Sequence, residues 1–168
     1  MATQHVLFAV ELAPPDIDEV SYGIVVYIHL ACRIVGEAAM PVTVLLADDK
    51  EVVRSSIRLL LSSDPEIFIV GEASNFAETI KSTVNLEPQV VVMDIHMPDA
   101  PSVTPHEIKS LSNTLGSRII AISFWKDEGT QALAQSLGAV TLLDKMRLTT
   151  DLIPAIKAAT SQQRSASA

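Results

Sequence analysis

From Val42 onward the chain alternates short apolar runs with stretches of helical periodicity, and this alternation constrains the fold more than any other feature. Val42–Ala47 is β-branched and aliphatic throughout, as a strand buried on both faces requires, and Asp48 and Asp49 end it. Val53, Ile57, Leu60 and Leu61 then recur at helical spacing until Asp64-Pro65. Ile67–Val70 reads as a second strand closed by Gly71, and Phe76, Ile80 and Val84 mark a second helix ending before Pro88. Val90–Met93 is a third strand running into Asp94. A proline-rich loop (Pro98, Pro101, Pro105) leads to a helix carrying Ile108, Leu111 and Leu115. Arg118–Ile122 is a fourth strand ending at Ser123, and a helix around Ala132, Leu133 and Leu137 closes at Gly138. Val140–Leu143 is the fifth strand, followed by Asp144-Lys145. The last helix opens near Thr150-Asp151 with Pro154 in its first turn, where a missing N–H costs little.

Strands each followed by a helix imply an α/β fold: a doubly wound parallel sheet with helices on both faces. Right-handed crossovers leave few topologies, and the flavodoxin-like (βα)5 order 2-1-3-4-5 is a common one. In such sheets the ligand sits outside the carboxyl ends of the strands, at the point where strand order reverses. Four of the five strands here end in polar groups: Asp48 with Asp49, then Asp94, Ser123 and Lys145. In the expected order these strands are neighbours, so the groups converge. Three crowded carboxylates repel one another, and Mg²⁺ is the natural offset, a hard ion with oxygen ligands that also binds phosphate oxygens. A lysine charge and a serine hydroxyl beside it complete a cradle for a phosphoryl group, with Asp94 as the nucleophile that would form an acyl phosphate.

The segments VTVLLADDKEVVRSSIRLLL, VVMDIHMPD, IIAIS and GAVTLLDK resemble the signature segments of two-component response-regulator receiver domains, over about residues 42–160. The resemblance implies that Asp94 is the phosphoacceptor, and that Asp48, Asp49 and the backbone carbonyl of His96 join Asp94 in holding Mg²⁺. It implies that Ser123 bonds the phosphoryl group and Lys145 pairs with it. The donor would be a phosphohistidine on a sensor histidine kinase or phosphotransfer protein. Switching would come from movement of Ser123, read through the fifth strand at Leu142. The chain would then be no enzyme beyond its own phosphorylation and dephosphorylation, a monomer or a phosphorylation-dependent dimer that signals to a downstream protein. IVGEAS resembles the subgroup that usually adds a helix-turn-helix domain, and with few residues after the last helix no such output domain is expected here. There are departures. Leu142 stands where the family usually has Tyr or Phe, Phe124 where the residue is normally small, and Met146 where Pro is common. Ser102 and Phe76 each replace a common glycine.

Residues 1–40 look different and are read as an N-terminal extension, or as sequence upstream of a true start at Met40, with the receiver at 41–160 and a polar tail at 161–168. They hold five acids against one base out of a net charge of −8. Their apolar run from Ile24 to Val35 falls short of the ~20 residues that span a bilayer and follows acids instead of Lys or Arg, which argues against an anchor or signal peptide. The lone Cys32 points to a reducing, cytoplasmic setting without disulfides. No basic stretch suits direct nucleic-acid binding. His96 and His106 lack partners at zinc-ligand spacing, and His96 is better placed to tune access to Asp94. Trp125 reads as a half-buried helix start or a partner contact, and Asp127-Glu128 as helix N-terminal stabilisers. Two competitors remain. A phosphorylation-independent pseudo-receiver draws on Leu142 and Phe124. An aspartyl-phosphate phosphatase would need an Asp-x-Asp motif after the first strand, where this chain has adjacent acids.

Overall fold

The computed structural model describes residues 41–98 and 104–166; the N-terminal extension and the loop containing Pro101 and Ser102 lie outside the described residues. Five strands alternate with five helices. They are β1 (Val42–Ala47), α1 (Glu51–Leu61), β2 (Ile67–Ala73), α2 (Phe76–Leu86), β3 (Val90–Asp94), α3 (Pro105–Leu115), β4 (Arg118–Ser123), α4 (Glu128–Ser136), β5 (Ala139–Asp144) and α5 (Leu148–Ala166). All strand pairs are parallel and the order is 2-1-3-4-5, the flavodoxin-like doubly wound sheet. Strand order reverses between β1 and β3, so the ends of those strands flank the crevice.

Period-two alternation splits the core into two layers. Val44, Leu46, Val92 and Ile120 point to one side and pack with Ile57, Leu61, Leu152 and Ile156 of α1 and α5. Leu45, Ala47, Val91 and Met93 point to the other and pack with Phe76 of α2, Ile108 of α3 and Ala134 of α4. Every residue of β3 is buried, as expected for the central strand. Each fully buried Leu or Ile contributes about 1.5–3 kcal/mol, so the apolar strands alone account for much of the drive to fold.

The local details correct several expectations. Gly71 does not close β2, which continues to Ala73. A register shift opposite Val44/Leu45 leaves Val70 as an extra residue. A Cβ at position 71 would come within 2.7 Å of Leu86 Cδ1, the end of a flexible side chain that would have to shift, so glycine leaves room for Leu86 beside the strand. On α2 the buried residues are Phe76, Thr79 and Thr83, while Val84 is 52% exposed. The two threonines can be buried because each hydroxyl donates to a carbonyl one turn back, at 2.7 Å to Asn75 O and Thr79 O. On α4 the inward positions are Thr130 and Ala134, and Ala132 faces solvent.

Helix ends follow their capping chemistry. Pro105 is the first residue of α3 and not part of the loop, behind a capping box in which Thr104 and Glu107 satisfy each other's backbone N–H groups. Asp127 caps α4 by accepting from Thr130 N at 2.9 Å, as the Asp127-Glu128 pair suggested. The last helix starts earlier than expected. Asp144 accepts from Met146 N at 2.9 Å and nucleates a 3-10 turn at Lys145–Arg147, which runs directly into α5 at Leu148. Pro154 therefore lies inside the helix, on its exposed side, and the helix continues to Ala166 past the expected tail boundary. No helix among the described residues is long and apolar enough to cross a membrane.

Candidate functional site

The carboxyl ends of β1, β3, β4 and β5 bring the polar groups expected from sequence into one place. Asp48 follows β1, Asp94 ends β3, Ser123 ends β4 and Lys145 follows β5. The register explains the convergence: Ala47 pairs with Met93, Asp94 with Ile122, and Ser123 with Asp144. One carboxylate oxygen each from Asp48, Asp49 and Asp94 lies within 4.8 Å of the others.

Lys145 sits among them. Its Nζ donates to Asp48 Oδ2 at 2.6 Å and to Asp94 Oδ2 at 2.7 Å, and all three side chains are almost fully withdrawn from solvent. The second oxygen of each acid is held by backbone. Lys50 N donates to Asp48 Oδ1 at 2.8 Å, and His96 N to Asp94 Oδ1 at 2.9 Å. Asp49 is less enclosed and pairs with the exposed Lys50 ammonium. Each carboxylate oxygen can accept more than one bond. The cluster thus keeps lone pairs for a hard cation, and an all-oxygen set of three carboxylates suits Mg²⁺.

Ser123 is buried at 1% exposure, with its hydroxyl oxygen accepting from Trp125 N at 3.1 Å and lying 3.4 Å from His96 Nδ1. His96 packs edge-on against Trp125, with ring centroids 5.1 Å apart. Phe124 packs edge-on against Trp125, with ring centroids 6.4 Å apart, and its own centroid lies 5.1 Å from Lys145 Nζ. Trp125 is not a half-buried helix start: it precedes α4, sits in the loop after β4 and is 57% exposed. His106 is exposed on the first turn of α3.

A network behind the acids was not anticipated from the sequence. The Arg54 guanidinium, on α1, donates through Nη1 to the main-chain oxygen of Asp48 at 2.7 Å and through Nε to Glu72 Oε2 at 3.0 Å. Its Nη2 bonds Glu51. Arg58 joins the same carboxylates, 2.7 Å from Glu72 Oε1 and 3.4 Å from Glu51 Oε1. The Arg58 hydrogen bond, helped by that from Arg54, holds the Glu72 carboxyl below its usual range. The Glu51–Arg54 spacing of three residues was a readable signal of a helix-face pair. The contacts to Asp48 and Glu72 depend on tertiary structure.

The family profile described as the response regulator receiver domain matches residues 44–157. The chain belongs to that family. Receiver domains are the phosphorylated components of two-component systems, and Mg²⁺ is typical of them. Among curated relatives, a protein-glutamate methylesterase/protein-glutamine glutaminase of Methanosarcina acetivorans is 36% identical over 103 residues, covering 60% of this chain and 29% of the relative. The nitrate/nitrite response regulator protein NarL of Escherichia coli is 32% identical over 116 residues, covering 69% and 53% respectively. The chain therefore spans about half or less of the length of these relatives. In fold it is similar to the response regulator domain of Thermotoga maritima CheB, with a TM-score of 0.63 at 24% identity, covering 72% of this receiver chain and 97% of that one.

Leu142, the residue expected to report the switch, pairs with Ala121 and packs partly buried against the layer formed with α2, α3 and α4. It also lines a groove of about 350 Å³ with Lys126, Gln131 and Gln135.

Proposed function

We propose that this receiver accepts a phosphoryl group on Asp94 from a phosphohistidine of a histidine kinase or phosphotransfer protein, and passes the signal on through protein contacts. The observation that carries the reading is the Lys145 ammonium seated between Asp48 and Asp94, at 2.6 and 2.7 Å, at the strand-order reversal of a receiver fold. Asp94 Oδ attacks phosphorus, the P–N bond to the donor imidazole breaks, and the imidazole leaves with the electron pair. Asp48, Asp49, Asp94 and the His96 carbonyl are the groups that would hold Mg²⁺, which when bound supplies charge neutralisation for the phosphoryl oxygens.

This chain's own residues do the rest. Lys145 moves from its two carboxylates to pair with the new phosphoryl oxygens. Ser123 turns its hydroxyl from Trp125 N and His96 toward the same oxygens, and the β4–α4 loop follows. The shift reaches Leu142 on the adjoining strand and changes the surface it shares with α4. An aliphatic side chain there couples by packing alone, with no hydroxyl to form or break a bond.

The test is direct. Incubating the full chain with Mg²⁺ and acetyl phosphate should add the mass of one phosphoryl group, and Asp94→Asn should abolish the gain. No gain with acetyl phosphate or a phosphohistidine donor would instead favour a phosphorylation-independent interaction module. Steady turnover of a phosphomonoester would favour a phosphatase.

A further inference from the structure

We infer that Arg54 is a positioning residue for the acidic pair, setting the geometry from which Asp48 and Asp49 bind a divalent cation. The inference rests on the proposed Mg²⁺ site and adds a residue that touches neither cation nor phosphoryl group.

Asp48 and Asp49 lie in the short link between β1 and α1, so their carboxylates are only as well placed as that link's backbone. Part of it is held by strand and turn bonds: Asp48 N donates to Ala73 O at 3.1 Å, and Lys50 N to Asp48 Oδ1 at 2.8 Å. The carbonyl of Asp48 is held by Arg54 Nη1 at 2.7 Å. The same guanidinium is itself fixed by Glu72 near the end of β2 and by Glu51 at the start of α1. One rigid planar group thus ties together three elements whose ends surround the acids. Its side chain is only 13% exposed. Lysine, a single flexible ammonium, could not reproduce three directed bonds in a plane.

Arg58 provides an internal comparison. It shares Glu72 and Glu51 with Arg54, but its bonds do not include the Asp48 carbonyl. Charge gives a second discriminator. Removing a cation beside an acidic site should, by Coulomb's law alone, tighten Mg²⁺ binding. A lost positioning contact should weaken it, and groups bonded behind metal ligands typically change affinity by ~10–100-fold.

The experiment is calorimetric titration of the full chain with Mg²⁺, with thermal unfolding measured alongside, for wild type, Arg54→Met, Arg54→Lys and Arg58→Met. Arg54→Met should bind Mg²⁺ about tenfold more weakly. Arg54→Lys, the gentler change if the methionine variant does not fold, should also bind several-fold more weakly although its charge is kept. Arg58→Met should lose some thermal stability and keep wild-type affinity. Unchanged or tighter binding in folded Arg54→Lys or Arg54→Met overturns the inference, as does equal weakening in Arg58→Met. Wild type that binds no Mg²⁺ while Asp94 still takes up phosphoryl would overturn the cation site and the inference with it, leaving Asp94 as acceptor intact.

Discussion

Lys145 Nζ stands 2.7 Å from Asp94 Oδ2 with both side chains buried, and the same ammonium reaches Asp48 at 2.6 Å. Without a metal it is the group that offsets two enclosed carboxylates. Removing one partner of a buried ion pair strands the other and costs about 3–5 kcal/mol. Lys145→Met should therefore unfold at markedly lower temperature in EDTA. Adding Mg²⁺ should return more stability to the variant than to wild type, because a cation again faces the acids. Equal Mg²⁺ stabilisation of both proteins in thermal melts would show that Lys145 does not perform this role.

Phe124 stands beside the lysine of the site and is 54% exposed. Its ring lies 5.1 Å from Lys145 Nζ and lines a groove of about 240 Å³ with Val52, Val53 and Met146. A small residue at this position would leave that side open to water. Phe124→Ala should speed loss of the phosphoryl group from Asp94 by about tenfold, equivalent to ~1.4 kcal/mol in the barrier. An intact-mass time course after removing the donor reads the decay. An unchanged half-life in a folded variant would assign the aromatic ring to another task.

The strand ends were legible because β-branched runs stop at polar residues, and parallel topology admits few ways to gather those ends. Sequence pattern and topology alone thus bring Asp48, Asp94, Ser123 and Lys145 together. Arg54 was not readable in the same way. Its helix-face neighbour Glu51 is local, but its bonds to Asp48 O and Glu72 arise only when β1 and β2 pair. The start of α5 is hidden in the sequence because the Asp144 cap on a 3-10 turn competes with the more obvious Thr150-Asp151 signal. Gly71 reads as a strand end because glycine is a turn residue by propensity, whereas its place inside β2 beside Leu86 is a matter of tertiary contact.

Acid should destabilise the fold through several carboxyls whose folded-state pKa lies below the ordinary value. Glu72 is lowered chiefly by its hydrogen bond from Arg58, Glu78 and Glu107 by backbone N–H groups of Ser74 and Thr104, and Asp64 by Lys157. A depressed folded pKa means that stabilisation is complete above the unfolded value and is lost as pH falls through the folded one. Stability should therefore be flat near neutrality in this respect and decline below about pH 4.5, the ordinary glutamate range. Urea melts at stepped pH measure the slope, and Glu72→Gln should make it shallower. A slope unaltered by that substitution would remove Glu72 from the account.

The same separation of pattern from environment gives a sharp test on α2. Apolarity points to Val84 as a core position, yet Val84 is half exposed while Thr83 is fully buried. Thr83 Oγ1 donates to Thr79 O at 2.7 Å, a carbonyl already serving its helix. Thr83→Val keeps the shape and removes both the donor and its need for a partner, so it should change stability by no more than about 1 kcal/mol. Thr83→Lys would force a charge between helix and sheet and should cost more than about 4 kcal/mol, in the range of unpaired buried charges. Val84→Lys, one residue away, should stay within about 0.5 kcal/mol of wild type, as an exposed substitution does. Urea denaturation of the three variants checks the order. A large loss in Val84→Lys would mean that α2 turns Val84, and not Thr79 and Thr83, toward the sheet.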